Sequence, residues 1–167
     1  CYDQAANVPL IMCWPGVLSE QTTIDSVIST ADLAPTLLEL CGIPAPGNLH
    51  GKSARRLVQG DATGWHKDIF IQNTPYRPDA IPIEGVDVAS MRERSVVTDD
   101  WKLILNTLRE PELYRRRNQP VDQANVFNDQ NMKAVIRDMV QRLEAWGERT
   151  GDGITGKLIK QWSSRWA

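Results

Sequence analysis

Ser29-Thr30-Ala31-Asp32-Leu33-Ala34-Pro35-Thr36-Leu37-Leu38-Glu39-Leu40-Cys41-Gly42-Ile43 is the stretch whose reading decides the fold. Asp32 is a good helix N-cap, and Pro35 then falls in the first turn, where a missing N–H costs little. Leu33, Leu37 and Leu40 recur on one face, with Thr36 between them. Gly42 is placed to end the helix as a left-handed C-cap, and Pro44 and Pro46 prevent its resumption. The spacing predicts a helix over 33–41.

Upstream, Val8-Pro9-Leu10-Ile11-Met12-Cys13-Trp14 is almost continuously apolar and is stopped by Pro15-Gly16. A short apolar run ended by a turn pair fits a strand buried on both faces of a helix-covered sheet. Such a strand needs neighbours, and none of the next fifty residues offers a comparable one. Downstream, Pro44 to Gly64 is rich in Gly, Pro and polar residues, with Ser53 to Gln59 able to form one helical turn. A boundary between two layers is expected near Gly60 to Gly64.

Beyond it the texture changes. Asp68-Ile69-Phe70-Ile71-Gln72 reads as a strand, and Thr74 to Gly85, with three prolines, as an extended loop. Arg94–Val97 and Trp101–Asn106 read as strands joined at the Asp-rich turn Thr98-Asp99-Asp100. Glu112-Leu113-Tyr114 makes a third short strand, and the sum is a small antiparallel meander. From about Asn131 to Arg149, Val135, Ile136, Met139, Val140, Leu143 and Trp146 form a helical stripe that packs on a sheet, with Asn128 or Asp129 as cap. After Gly151 the tail carries Trp162 and Trp166 and is either frayed or pinned by those rings.

Composition bounds the function. Apolar and charged fractions of 41% and 24% suit a folded globular chain, and a net charge of -2 gives no global field for nucleic acid. The one basic run, Arg115-Arg116-Arg117, reads as a solvated turn. No apolar stretch reaches the roughly 18 residues that a membrane-crossing helix needs. The N-terminus has neither the initiator Met nor the basic-then-apolar order of a signal peptide, so the chain reads as the interior of something longer. Cys1, Cys13 and Cys41 have no motif spacing. With only His50 and His66 beside them, a zinc site is not expected, and Cys13 and Cys41 read as buried small hydrophobes.

The residues that could carry chemistry are few. His50 and His66 are isolated in loop contexts. Gly51-Lys52-Ser53 fails the phosphate-loop frame because Gly47 sits one residue too close to Gly51. Asp99-Asp100 falls on a hairpin tip, where neighbouring like charges are expected to be solvated. No Gly-x-Ser-x-Gly elbow exists. By these residues alone the chain is a binding or structural unit, such as a stand-alone carbohydrate-binding or interaction module.

The order of segments adds a resemblance. Tyr2-Asp3-Gln4-Ala5-Ala6-Asn7-Val8-Pro9-Leu10-Ile11 resembles the sulfatase stretch Y-E-E-A-x-R-V-P-L-I, and residues 29–43 resemble S-T-x-D-L-A-P-T-L-L-x-L-x-G-I. His50-Gly51-Lys52-Ser53 resembles H-G-x-S, Thr98–Ile104 resembles T-x-x-Y-K-L-I, and Glu112-Leu113-Tyr114 resembles E-L-Y. Pro120, Asp122 and Asn125 fall on P-x-E-x-x-N. Asn7, Arg115-Arg116 and Gln119 depart from the family pattern.

The resemblance implies an α/β (α+β) fold. Residues 1–63 would be the C-terminal end of a sulfatase α/β domain, 64–150 a small antiparallel sheet packed by a helix, and 151–167 a tail. It implies a parent enzyme that hydrolyses sulfate esters of carbohydrates or aryl groups, using calcium and a formylglycine made within C/S-x-P-S/A-R. None of those motifs is present, so no catalytic or metal residue is carried over, and the chain alone is expected to be inactive. A related phosphodiesterase or phosphonate hydrolase is the alternative. The expected partner is the missing N-terminal part of the same enzyme or another copy of this chain, in a periplasmic, secreted or lysosomal setting. Tyr76, Arg77, Arg92 and Arg94 are the candidates to rim the substrate pocket, since arginine suits sulfated or carboxylated sugars; surface arginines are the alternative.

Overall fold

Four strands in sequence order, β1 (Ile69–Asn73), β2 (Glu93–Val97), β3 (Trp101–Asn106) and β4 (Glu112–Arg115), form one sheet. The computed structural model describes residues 1–18, 20–74, 91–117 and 122–166. The chain divides into two units: Cys1–Val8 with Phe70–Ala167, and Pro9–Ile69. The meander read from sequence is therefore present. β2 and β3 pair antiparallel with Glu93 opposite Asn106 and Val97 opposite Lys102, and β3 and β4 pair with Lys102 opposite Tyr114 and Ile104 opposite Glu112.

Strand alternation sends successive side chains to opposite faces. Val96, Leu103, Leu105 and Leu113 lie on one face and join a core with Ile136, Met139, Val140 and Leu143 of α4 (Lys133–Thr150). Asp129 starts this helix by accepting from Asn131 N through a 3-10 turn, and the left-handed Gly151 ends it. Glu93, Ser95, Lys102, Ile104, Asn106, Glu112 and Tyr114 take the alternate positions and are buried or nearly so. On this side the N-terminal segment Cys1–Val8, with the short helix α1 (Asp3–Ala6), makes its contacts. The first eight residues thus belong to the sheet unit, although in sequence they lead into the 9–69 segment.

Residues 151–167, read as a tail, are mostly helical. Asp152 caps α5 (Gly153–Trp162) by accepting from Ile154 N and Thr155 Oγ1, and Leu158 is fully buried. Trp162 donates from its ring N–H to the Asn106 carbonyl at 2.9 Å. Trp166 packs edge-on to Phe127 with ring centres 6.3 Å apart. Both rings pin the segment.

The 9–69 unit holds α2 (Leu33–Leu40) and α3 (Arg55–Val58), as expected. Gly42, at φ +70, ends α2 while Ile43 N donates to the Leu38 carbonyl at 2.8 Å. Val8–Trp14, an apolar run for which this chain offers no neighbouring strand, is irregular rather than a buried strand, and Ile11 is 89% exposed. An apolar run reports a tendency to be buried, while a strand also requires a partner backbone, and no described residue pairs with this segment. Cys13 and Cys41 are likewise exposed rather than buried. Val27, Ala54 and Leu57 are the buried hydrophobic side chains described in this unit. Leu10, Trp14, Val17, Ile24, Leu37, Ile43 and Leu49 are exposed.

Candidate functional site

Two polar clusters stand out, one in each unit. The first lies beneath the N-terminal segment. Lys102 Nζ, with no exposed surface, donates to Asp3 Oδ1 at 2.7 Å and to Asp122 Oδ2 at 2.9 Å, and Asp3 N donates to Asp122 Oδ2 at 2.7 Å. Next to it, Tyr2 OH donates to Glu112 Oε1 at 2.8 Å, and Tyr114 OH donates to Glu112 Oε2. Arg109 donates from Nη1 to Tyr2 OH at 2.8 Å and from Nη2 to Glu93 Oε2 at 3.0 Å. Burial, reinforced by the Glu112 carboxylate, pushes both phenols upward, Tyr114 strongly. Asn125 Oδ1 accepts from Leu113 N at 3.0 Å and Phe127 N at 2.9 Å, tying the following loop to β4.

The second cluster centres on Asp32, which is 1% exposed. Its carboxylate makes no capping bond to α2, contrary to the N-cap expected from sequence; it closes a capping box on the 3-10 turn Thr30–Asp32, where Oδ2 accepts from Ser29 N at 2.8 Å, while Oδ1 accepts from Lys52 N at 2.8 Å and faces His66 Nε2 at 3.1 Å. Thr36 Oγ1 accepts from Ala54 N at 2.8 Å. Gly51 lies so close to the Ala31–Asp32 backbone that a Cβ there would sit 1.9 Å from the Ala31 carbonyl oxygen. His50-Gly51-Lys52-Ser53 is thus seated on the start of α2. The His66–Asp32 pair has an orienting carboxylate, but the other partners of Asp32 are backbone amides, so the cluster ties loops together and presents no nucleophile.

Arg94 is not a rim residue. It is 3% exposed, and its Nε and Nη2 donate to Asp152 Oδ2 and Oδ1 at 2.6 and 3.1 Å, while Nη1 donates to the Glu93 carbonyl. The Arg94 hydrogen bonds outweigh burial and hold Asp152 down to about 2. Its place on the helix-facing side of β2 directs it inward. Arg92 is half-buried at the start of β2; its backbone N–H donates to Thr107 Oγ1 at 2.9 Å and its Nη1 to the Met91 carbonyl at 2.8 Å. Tyr76, Arg77 and Pro120 lie outside the described residues. Of the basic run, Arg115 stacks over Trp101 at 4.7 Å, Arg116 Nη1 donates to the Thr98 carbonyl, and Arg117 pairs with Asp100 at 2.8 Å. Among the described residues no three His, Cys, Asp or Glu side chains converge to hold a metal, and no helix is long and apolar enough to cross a membrane. No Cys here has the x-Pro-x-Arg context of a formylglycine precursor.

The sequence signals behind both clusters were the resembling motifs, whose polar letters fall on Tyr2, Asp3, Asp32, Lys102, Glu112, Tyr114, Asp122 and Asn125, with Gly51 as the close-approach position. The fold class they define is that of a sulfatase's C-terminal portion. Residues 1–149 match the family described as N-sulphoglucosamine sulphohydrolase, C-terminal, and the chain belongs to it. An uncharacterized sulfatase, YidJ, of Escherichia coli is 28% identical over 164 residues, covering 98% of this chain and 30% of that protein. The N-acetylglucosamine-6-O-sulfatase of Bacteroides thetaiotaomicron is 24% identical over 148 residues, covering 86% and 25%. A solved 2-O GAG sulfatase superposes with a TM-score of 0.69 at 21% identity, over 85% of this chain and 30% of that one. A phosphonate monoester hydrolase from Silicibacter pomeroyi superposes at 0.57 and 20% identity, over 71% and 24%. The chain thus spans 30% and 25% of the length of the two curated relatives named.

Proposed function

We propose that this chain is the C-terminal part of an enzyme that hydrolyses sulfate esters of carbohydrates. Its nucleophile, a formylglycine, and its calcium would be supplied by the part of the polypeptide outside this chain. The family match over residues 1–149 carries this reading, and the sulfated sugars in the names of two relatives, an N-acetylglucosamine-6-O-sulfatase and a Delta 4,5-hexuronate-2-O-sulfatase, support the substrate class. The chain's own contribution is a scaffold, because its motif residues bind one another. Arg92, with Tyr76 and Arg77, is the proposed contact to the substrate's acidic groups, in a secreted, periplasmic or lysosomal enzyme.

The full-length enzyme should release inorganic sulfate from glucosamine 6-sulfate or a hexuronate 2-sulfate, and Arg92→Ala should raise KM. Hydrolysis of phosphonate monoesters with no release of sulfate would move the parent to the neighbouring hydrolase class. This chain expressed alone should release no sulfate.

A further inference from the structure

The segment Cys1–Val8 is held on the sheet by buried charge, although apolar packing would hold it at lower desolvation cost. Taking an ammonium and two carboxylates out of water is expensive, and well-packed apolar side chains of similar volume commonly serve a fold as well or better. Lys102 is fully buried, and the side chain of Asp122 is 2% exposed. What charge and hydrogen bonds add is direction. Tyr2 and Asp3 are adjacent, yet they engage separate partner sets. The phenol of Tyr2 meets Glu112 and Arg109, while the carboxylate and N–H of Asp3 meet Lys102 and Asp122. A slip of one residue would take the Asp3 carboxylate from Lys102 and the Asp3 N–H from Asp122, leaving the buried Lys102–Asp122 pair without its third member, whereas an apolar segment could slide at little cost.

We propose that the Lys102–Asp3–Asp122 triad, with Tyr2–Glu112 beside it, is a register lock. It fixes the register of Cys1–Val8 on the sheet, and through that segment the position of the parent enzyme's catalytic part, which makes Lys102 a positioning residue for the reaction. The proposal rests on the sulfatase reading above and adds the residues that align the parent's catalytic part.

The test uses the full-length enzyme with Lys102→Met, Asp3→Leu and Asp122→Leu combined, which replaces the triad by apolar groups and leaves no unpaired charge. The triple variant should fold, keep the amides of β3 protected, exchange the amides of residues 1–8 at least tenfold faster, and lose at least tenfold in kcat with KM within twofold. Unchanged kcat overturns the positioning role, and a fall in kcat without faster exchange at residues 1–8 overturns the lock. If the triple variant does not fold, Asp3→Asn, which keeps a hydrogen bond to Lys102 but removes the charge, is read by the same two criteria. Absence of sulfate release by the unmodified enzyme would refute the sulfatase reading instead, and exchange at residues 1–8 would then decide the lock by itself.

Discussion

Gly51→Ala should detach the 50–53 loop from the start of α2. Gly51 has no left-handed backbone to lose, so the demand is for room alone. The added carbon would lie 1.9 Å from the Ala31 carbonyl oxygen, 2.3 Å from its carbon and 2.7 Å from Asp32 N, all of them backbone atoms. Reaching even 3.0 Å requires the loop to withdraw by 1.1 Å, the difference between 3.0 and 1.9. A withdrawal of that size carries Lys52 N from 2.8 Å to about 3.9 Å from Asp32 Oδ1, beyond hydrogen-bond range. The same movement strains the 2.8 Å bond from Ala54 N to Thr36 Oγ1, whose atoms are buried. Losing a bond to a carboxylate costs about 1.5–3 kcal/mol, and leaving a buried amide unsatisfied about 1–3 kcal/mol, so the local loss is about 3–5 kcal/mol. Amide exchange at Lys52 and Ala54 should accelerate by roughly 10²- to 10⁴-fold, while Leu103 and Leu105 of β3 keep their protection. Protection at Lys52 and Ala54 within threefold of the parent value would refute this account of the close approach.

Three further outcomes follow from the electrostatics. Asp152 is held at about 2, below its ordinary 3.8. Its contribution, about 2 kcal/mol, should be complete above pH 4 and lost as pH falls toward 2; denaturant titrations of the parent and Asp152→Asn across that window measure it. Arg94→Met should cost about 3–5 kcal/mol by leaving Asp152 without its cation, and Arg94→Met with Asp152→Leu should recover most of that in the same titrations. Tyr2 and Tyr114 should ionise later than an ordinary phenol, so their contribution to stability is complete below pH 10 and disappears as alkali finally ionises them. Tyrosinate absorbance during an alkaline titration should show the delay, and Glu112→Gln should shorten it.

Legibility followed the range of the interactions. The helix of residues 33–40, the long α4 and the hairpin of β2 and β3 were readable because their determinants lie within a few residues: a cap, a stripe, a turn. α5 carried a usable signal, Asp152 followed by Ile154, Leu158, Ile159 and Trp162, but two glycines in its first turns diluted the pattern. The run Val8–Trp14 was legible as an apolar segment without a neighbouring strand in this chain, and it is accordingly left irregular and exposed. Arg94 misled because a charged side chain at a strand start reads as solvent-facing until its partner, 58 residues away, is known. The motif letters of the site were visible, but that Asp3 and Asp122 share one lysine could not be read from spacing.

The path of the chain has a consequence during synthesis. Asp3 leaves the ribosome 119 residues before Asp122, with which it shares Lys102. At about 5–20 residues per second that interval is roughly 6–24 s. Through it the N-terminal segment has no site to occupy, and the exposed run that follows it emerges before any of the sheet. The sheet unit therefore cannot be completed in the order it is translated.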